Sequence, residues 1–122
     1  MPVSYSFDSH IVVVRAVGSY STDELKAATL ASLADAEVPS RPVLMFDLRE
    51  SQVLTERTAG QLEDMALFLA DLAPRFGNRL AMLVSSTVGY GLMRMGSAYA
   101  ESDESKPEVF RDYDEARRWL LS

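Results

Sequence analysis

The chain has no cysteine, one histidine and one tryptophan among 122 residues, and each scarcity removes a class of chemistry. Without thiols there are no disulfides, thiolate nucleophiles or thiolate metal sites, a usage that fits a reducing compartment. One imidazole falls short of the ligand count of an ordinary zinc site. Cationic side chains are the minority: 12 Lys and Arg against 18 Asp and Glu give a net charge of −6. Such a field repels phosphate backbones and anionic lipid surfaces, so nucleic acid is not an expected partner. No apolar run approaches the roughly 18 to 20 residues that span a bilayer. The opening Met-Pro-Val-Ser-Tyr-Ser-Phe-Asp has neither the basic start nor the apolar stretch of a secretory signal. These absences lead to the expectation of a cytoplasmic protein with no membrane span, no cofactor and no metal.

What is present is an ordinary globular balance, 48% hydrophobic and 25% charged, in a length that suits one domain over residues 1–122. Val3 to Phe7 alternates apolar and polar residues. After a break at Asp8-Ser9 comes Ile11-Val12-Val13-Val14-Arg15-Ala16-Val17, which together with the first segment predicts an antiparallel hairpin ended by Gly18. Ser21 and Glu24 form a capping box that opens a helix over about residues 22 to 36, with Leu25, Ala28, Thr29, Leu33 and Ala36 on one face and Pro39 and Pro42 beyond it. Val43 to Phe46, running into Asp47-Leu48-Arg49, has the composition of a central parallel strand.

Leu62, Met65, Ala66, Leu69, Leu72 and Ala73 then recur at helical spacing and stop near Pro74 and Gly77. Arg79 to Ser85 predicts another buried strand. Ser85-Ser86-Thr87 supplies caps for a helix from about Val88 to Ala100. Residues 101–107 form an acidic loop, Glu108-Val109-Phe110 a short strand, and Asp112 with Glu115 opens a last helix burying Ala116, Trp119 and Leu120. The order is β-β-α-β-α-β-α-β-α: an α/β fold with a mixed, mostly parallel sheet, an N-terminal hairpin and about four helices.

This order, with its hairpin and its strand ending in Asp47-Leu48-Arg49, resembles the STAS domain of anti-sigma-factor antagonists and sulphate transporters. Arg75-Phe76-Gly77-Asn78-Arg79-Leu80-Ala81, Tyr90-Gly91-Leu92-Met93-Arg94-Met95, and Val109-Phe110-Arg111-Asp112 with Trp119-Leu120 look like a bacterial STAS-like group whose activity these motifs do not define. The resemblance implies a non-enzymatic regulatory module. It also implies a phosphorylatable hydroxyl at the start of the helix after the Asp47 strand, where Thr58 stands. Of the family's Asp-Ser-Ser-Gly-like turn, the segment Thr55-Glu56-Arg57-Thr58-Ala59-Gly60 keeps the hydroxyl and the glycine. The architecture also resembles the lipid-binding CRAL-TRIO fold, which is larger and encloses an apolar cavity that this chain is too short to hold, leaving a ligand pocket completed between subunits as an alternative.

Asp47, Arg49, Ser85 and Ser86 fall at or beyond the carboxyl ends of predicted parallel strands, where open α/β sheets bind ligands. The structural alternative is that Asp47 and Arg49 pair and the serines cap a helix. His10 stands near Asp8 in the hairpin, as a base or ligand on one reading and an exposed polar residue on the other. The helix start at Thr87 to Gly89 could face an anion, but Gly89-Tyr90-Gly91 lacks the remaining marks of a dinucleotide fingerprint or P-loop. No Gly-x-Ser-x-Gly elbow accompanies a base, so hydrolase chemistry is not expected; an enzyme would have to use Asp47 with Ser85 or Thr58.

Apolar surplus is the other signal. Beside the stripe Val88, Leu92, Met95 and Tyr99, the third helix carries Tyr90 and Met93 on a second face, and the second helix carries Leu67 and Phe68 to the side of its core face. Aromatic and methionine side chains suit interfaces. Phe68, Tyr90, Met93, Arg94 and Tyr99 are therefore candidate contacts for a homodimer or a regulatory protein partner, unless the helix is wedged so that both stripes are buried. The alternative function is a carrier or sensor of a small apolar or anionic ligand, lined by Tyr90, Met93 and Tyr99 and fixed by Arg49 or Ser85.

Overall fold

The computed structural model describes residues 2–53, 56–77, 79–87, 89–91, 94 and 107–122. Five strands, β1 (Val3–Asp8), β2 (Ile11–Ala16), β3 (Val43–Asp47), β4 (Leu80–Leu83) and β5 (Glu108–Phe110), form one sheet in the order β1-β2-β3-β4-β5. β1 and β2 are antiparallel, and all later pairs are parallel. Helices α1 (Thr22–Ala34) and α2 (Ala59–Leu72) follow β2 and β3. A third, α3, starts at residue 87 and is described at residues 87, 89–91 and 94, and α4 is Tyr113–Leu121. The expected mixed α/β order is present.

Strand order decides where the helices lie. Each parallel connection moves one strand in the same direction, and a right-handed crossover then puts every connecting helix on the same face. The core divides accordingly. Val12, Val14, Leu44, Phe46, Leu80 and Met82 point to the face covered by Leu25 of α1 and by Leu62, Met65 and Leu69 of α2. Ile11, Val13, Met45, Ala81 and Leu83 point to the other, covered by Ala116 and Leu120 of α4. Burial on both sides is why β4, and β3 as far as Phe46, are continuously apolar rather than alternating.

Local chemistry fixes the ends. The Ser21 hydroxyl accepts from the Glu24 amide while Glu24 accepts from the Ser21 amide, both at 3.1 Å, and Thr58 and Gln61 repeat the reciprocal box on α2. Asp112 accepts from the Glu115 amide at 3.2 Å.

Several boundaries differ from expectation. The hairpin turn is Ser9-His10 rather than Asp8-Ser9, with Ser9 in the left-handed region at φ 56°. Asp8 stays in β1 because α4 holds its carboxylate. α1 stops at Ala34, leaving Ala36 exposed outside it, because Asp35 turns extended and accepts from the Glu37 amide at 2.8 Å. α2 ends at Leu72 and tightens into a 3-10 turn, Ala73–Phe76, closed by Gly77 at φ 62°. β4 spans Leu80–Leu83, narrower than residues 79–85. Trp119 is half-buried, its ring tilted 5.6 Å from Phe110 and beneath the Arg79 guanidinium.

Two leucines of α2 separate core from surface: Leu69 is 5% exposed and Leu67 58%. Leu69→Ala is expected to lower unfolding free energy by about 2–5 kcal/mol, and Leu67→Ala by no more than about 0.5 kcal/mol. Urea denaturation of both variants measures the contrast.

Candidate functional site

The register sets Asp47 at the end of β3 directly beside Arg15 of β2, both on the α4 face. Asp47 is 5% exposed, and a buried carboxylate stays charged only with strong partners. Arg49 supplies them as a fork: Nε donates to Oδ1 at 3.0 Å and a terminal nitrogen to Oδ2 at 2.9 Å, with the Arg49 amide 3.3 Å from Oδ1. Burial pushes the Asp47 carboxyl up, but the Arg49 bonds and the charges of Arg49 and Arg15 outweigh it, so the group titrates below the ordinary carboxylate range. The Arg49 guanidinium lies 5.7 Å from the centre of the Tyr113 ring, and Arg15 pairs with Glu50.

Both serines are engaged in the backbone. The Ser85 hydroxyl donates to the Arg49 carbonyl at 2.8 Å, tying the loop after β4 to the loop after β3. The Ser86 hydroxyl accepts from the Gly89 amide at 2.9 Å and caps α3. Asp47, Arg49 and Ser85 are thus brought together, with Arg49 paired to Asp47 and Ser86 capping α3. Topology gives the reason. A ligand crevice opens where neighbouring crossovers leave for opposite faces of the sheet; the β3 and β4 crossovers leave for one face, so their loops run side by side and bond to each other.

A second network binds α4 to the hairpin. The Tyr113 hydroxyl donates to Asp8 Oδ2 at 2.6 Å, and Arg117 Nε donates to the same oxygen at 3.0 Å. The Tyr113 and Arg117 bonds hold the Asp8 carboxyl below its ordinary value. Burial, followed by the bond to Asp8, pushes the Tyr113 phenol up to about 12. His10 takes no part: it is exposed, with Nδ1 3.1 Å from the Ser40 carbonyl oxygen. Among the described residues no group of three or more His, Cys, Asp or Glu is placed to hold a metal ion.

The candidate interface residues separate. Phe68 and Tyr90 are half-buried and pack against the larger core cluster, Phe68 beneath Lys26 at 5.6 Å and Tyr90 beneath Arg94 at 5.8 Å. Arg94 also donates to the Tyr90 hydroxyl at 3.2 Å. Met93 and Tyr99 lie outside the described residues. Thr58 is exposed, its hydroxyl accepting from the Gln61 amide at 3.1 Å. Leu30, which sequence reasoning passed over, is 47% exposed. It follows Lys26 by one turn as Leu67 follows Asp64, and Lys26 and Asp64 form an ion pair. Both leucines sit five positions after a core leucine, Leu25 or Leu62, an offset of about 140° that could have located Leu30.

A cleft between α1 and α2 was likewise not anticipated. It has a volume of about 60 Å³, an apolar wall that includes Leu25, Phe46, Met65 and Leu69, and Arg57 and Tyr20 beside it. Arg57 donates to the Tyr20 carbonyl at 2.6 Å and lies 5.0 Å from its ring centre.

No protein-family model and no curated protein matches this sequence. Among the described residues no helix is long and apolar enough to cross a membrane.

Asp47 and Asp8 have lowered folded-state values. Their stabilisation is fully present above the unfolded carboxylate value near pH 4 and is lost as pH falls through the folded values. Asp47→Asn is expected to cost about 1–2 kcal/mol at pH 7, the low side for a charged hydrogen bond because exposed Arg49 can turn to water. It should also reduce the loss of stability below about pH 4. Urea denaturation at pH 7 and pH 3 checks both signs.

Proposed function

We propose that the chain is a non-enzymatic, STAS-like protein-interaction module that associates with itself and serves a regulatory partner. One contrast carries this reading. The polar groups at the strand ends, Asp47, Arg49, Ser85 and Ser86, are engaged in the fold's own bonds, whereas large apolar side chains, Leu30 and Leu67, stand outward on the helical layer. Recognition is then a matter of surface rather than of a pocket at the strand ends. The strand and helix order supports a STAS-like relationship at the level of architecture, and Thr58 stands at the N-cap of α2, where added phosphate would meet the helix dipole. Architecture alone does not assign an activity.

Light scattering across about 0.01–1 mM, a span of two decades in affinity, tests the reading. A concentration-dependent shift from monomer to dimer is expected; a monomeric mass throughout removes self-association from the proposal.

A small-molecule carrier is a second reading, favoured by the cleft beside Arg57. Its volume of about 60 Å³ is several-fold below the roughly 300–1,000 Å³ of drug-sized sites, so its ligand would be a small apolar anion such as hexanoate. On this reading hexanoate raises the thermal midpoint of the parent more than that of Arg57→Gln; equal or absent shifts exclude it.

A further inference from the structure

The sheet has two edges, and they differ. β5 is three residues long, preceded by Pro107, begun by exposed Glu108 and followed by Arg111, all features that discourage strand addition. β1 has six residues, Val3-Ser4-Tyr5-Ser6-Phe7-Asp8. Its one charge, Asp8, is held by Tyr113 and Arg117. It pairs with β2 in unbroken register, and among the described residues no strand lies on its other side.

Hairpin parity tells which backbone groups face that open side. Ladder bonds in an antiparallel pair alternate, and the Val17 amide donates to the Pro2 carbonyl at 2.8 Å. Positions 2, 4, 6 and 8 therefore bond inward to β2, and Val3, Tyr5 and Phe7 turn their N–H and C=O groups outward. Pro2 is no obstacle, because its missing donor belongs to the inward side.

We propose that β1 is the self-association surface of this protein and pairs antiparallel with β1 of a second copy, joining two sheets into one. The proposal rests on the self-association reading above and seats it on β1, which leaves the outward-facing Leu30 and Leu67 to the regulatory partner. Val3 of one copy stands opposite Phe7 of the other, with Tyr5 opposite Tyr5 on the two-fold axis. This register joins every outward group, giving about six backbone bonds; a shift of two residues joins fewer. Side chains agree with it. The half-buried rings of Tyr5 and Phe7, 5.8 Å apart, gain Tyr5 and Val3 as neighbours on the α1 face, and exposed Ser4 meets Ser6 on the α4 face. No like charges face each other across the strands. A second copy is thus the occupant whose pattern is complementary by symmetry.

Charge exchange tests this pairing. Ser4→Lys/Ser6→Lys and Ser4→Glu/Ser6→Glu each set like charges opposite one another at two exposed positions. Each is expected to weaken association by more than about tenfold while leaving the circular dichroism spectrum unchanged. Mixing the two variants should restore the dimer, since every lysine then meets a glutamate. Leu30→Glu/Leu67→Glu should associate as the parent does. In the parent, amide exchange at Tyr5 and Phe7 should slow with concentration, a readout that needs no substitution.

Association that survives both charge variants, a mixture that stays monomeric, or exchange at Tyr5 and Phe7 that ignores concentration would overturn the proposal. Loss of association in Leu30→Glu/Leu67→Glu alone would also overturn it, while keeping self-association and moving it to the helical layer. A parent that stays monomeric removes both readings.

Discussion

Right-handed crossover is the constraint from which most of this molecule follows. Strands β2 to β5 are laid down in chain order without a reversal, so their connecting helices are committed to one face. The opposite face of β2, β3 and β4 would be left wet, although Ile11, Met45, Ala81 and Leu83 point into it. α4, which follows β5, covers them with Ala116, Leu120 and the half-buried Trp119. The terminal helix therefore closes the second core, which explains why so many polar contacts hold it. Asp8 receives Tyr113 and Arg117 near its start, and Arg79 donates to the Trp119 carbonyl near its end.

The same topology brings the loops at the carboxyl ends of the strands together. Adjacent loops after β3 and β4 lie together, and the Ser85 to Arg49 bond joins them. Asp47 is drawn inward by its position in a strand covered on both faces, and the Arg49 fork offsets the cost of desolvating it. That fork leaves no oxygen of Asp47 without an arginine partner, while the Arg49 guanidinium is held between the carboxylate and the Tyr113 ring. Such an arrangement suits a fixed structural joint.

Much of this was legible in the residues. Runs of β-branched and aliphatic residues marked β2, β3 and β4, and capping pairs such as Ser21 with Glu24 marked helix starts, because both signals are local. The pairing of Asp47 with Arg49 was legible as an alternative, since residues two apart at a strand end can meet. The Tyr113, Arg117 and Asp8 cluster was not: Asp8 is more than a hundred positions from the other two, and only the fold brings them together. Phe68 and Tyr90 show another limit. Helical spacing placed them beside the core stripe and set Arg94 one turn after Tyr90, but it could not tell that Lys26 of another helix would lie over the Phe68 ring. Ala36 failed for a nearer reason, as Asp35 prefers to bond the backbone beyond it and ends the helix.

An N-terminal hairpin adds a strand to such a sheet without adding a crossover, and so without a helix of its own. β1 borrows its cover from α1, which packs on both β1 and β2 and is tied to it where the Tyr5 hydroxyl donates to Asp35 at 2.7 Å. One helix lying over two strands covers the outer one incompletely. Val3 is buried, while Tyr5 and Phe7 keep part of their rings open beside a backbone edge that no described strand pairs. Parallel strands at the far side cannot be left this way, because each arrives by a crossover that lays a helix on the same face. The asymmetry between the two edges is therefore built into the order of elements, and it puts the least finished part of the sheet at its first strand.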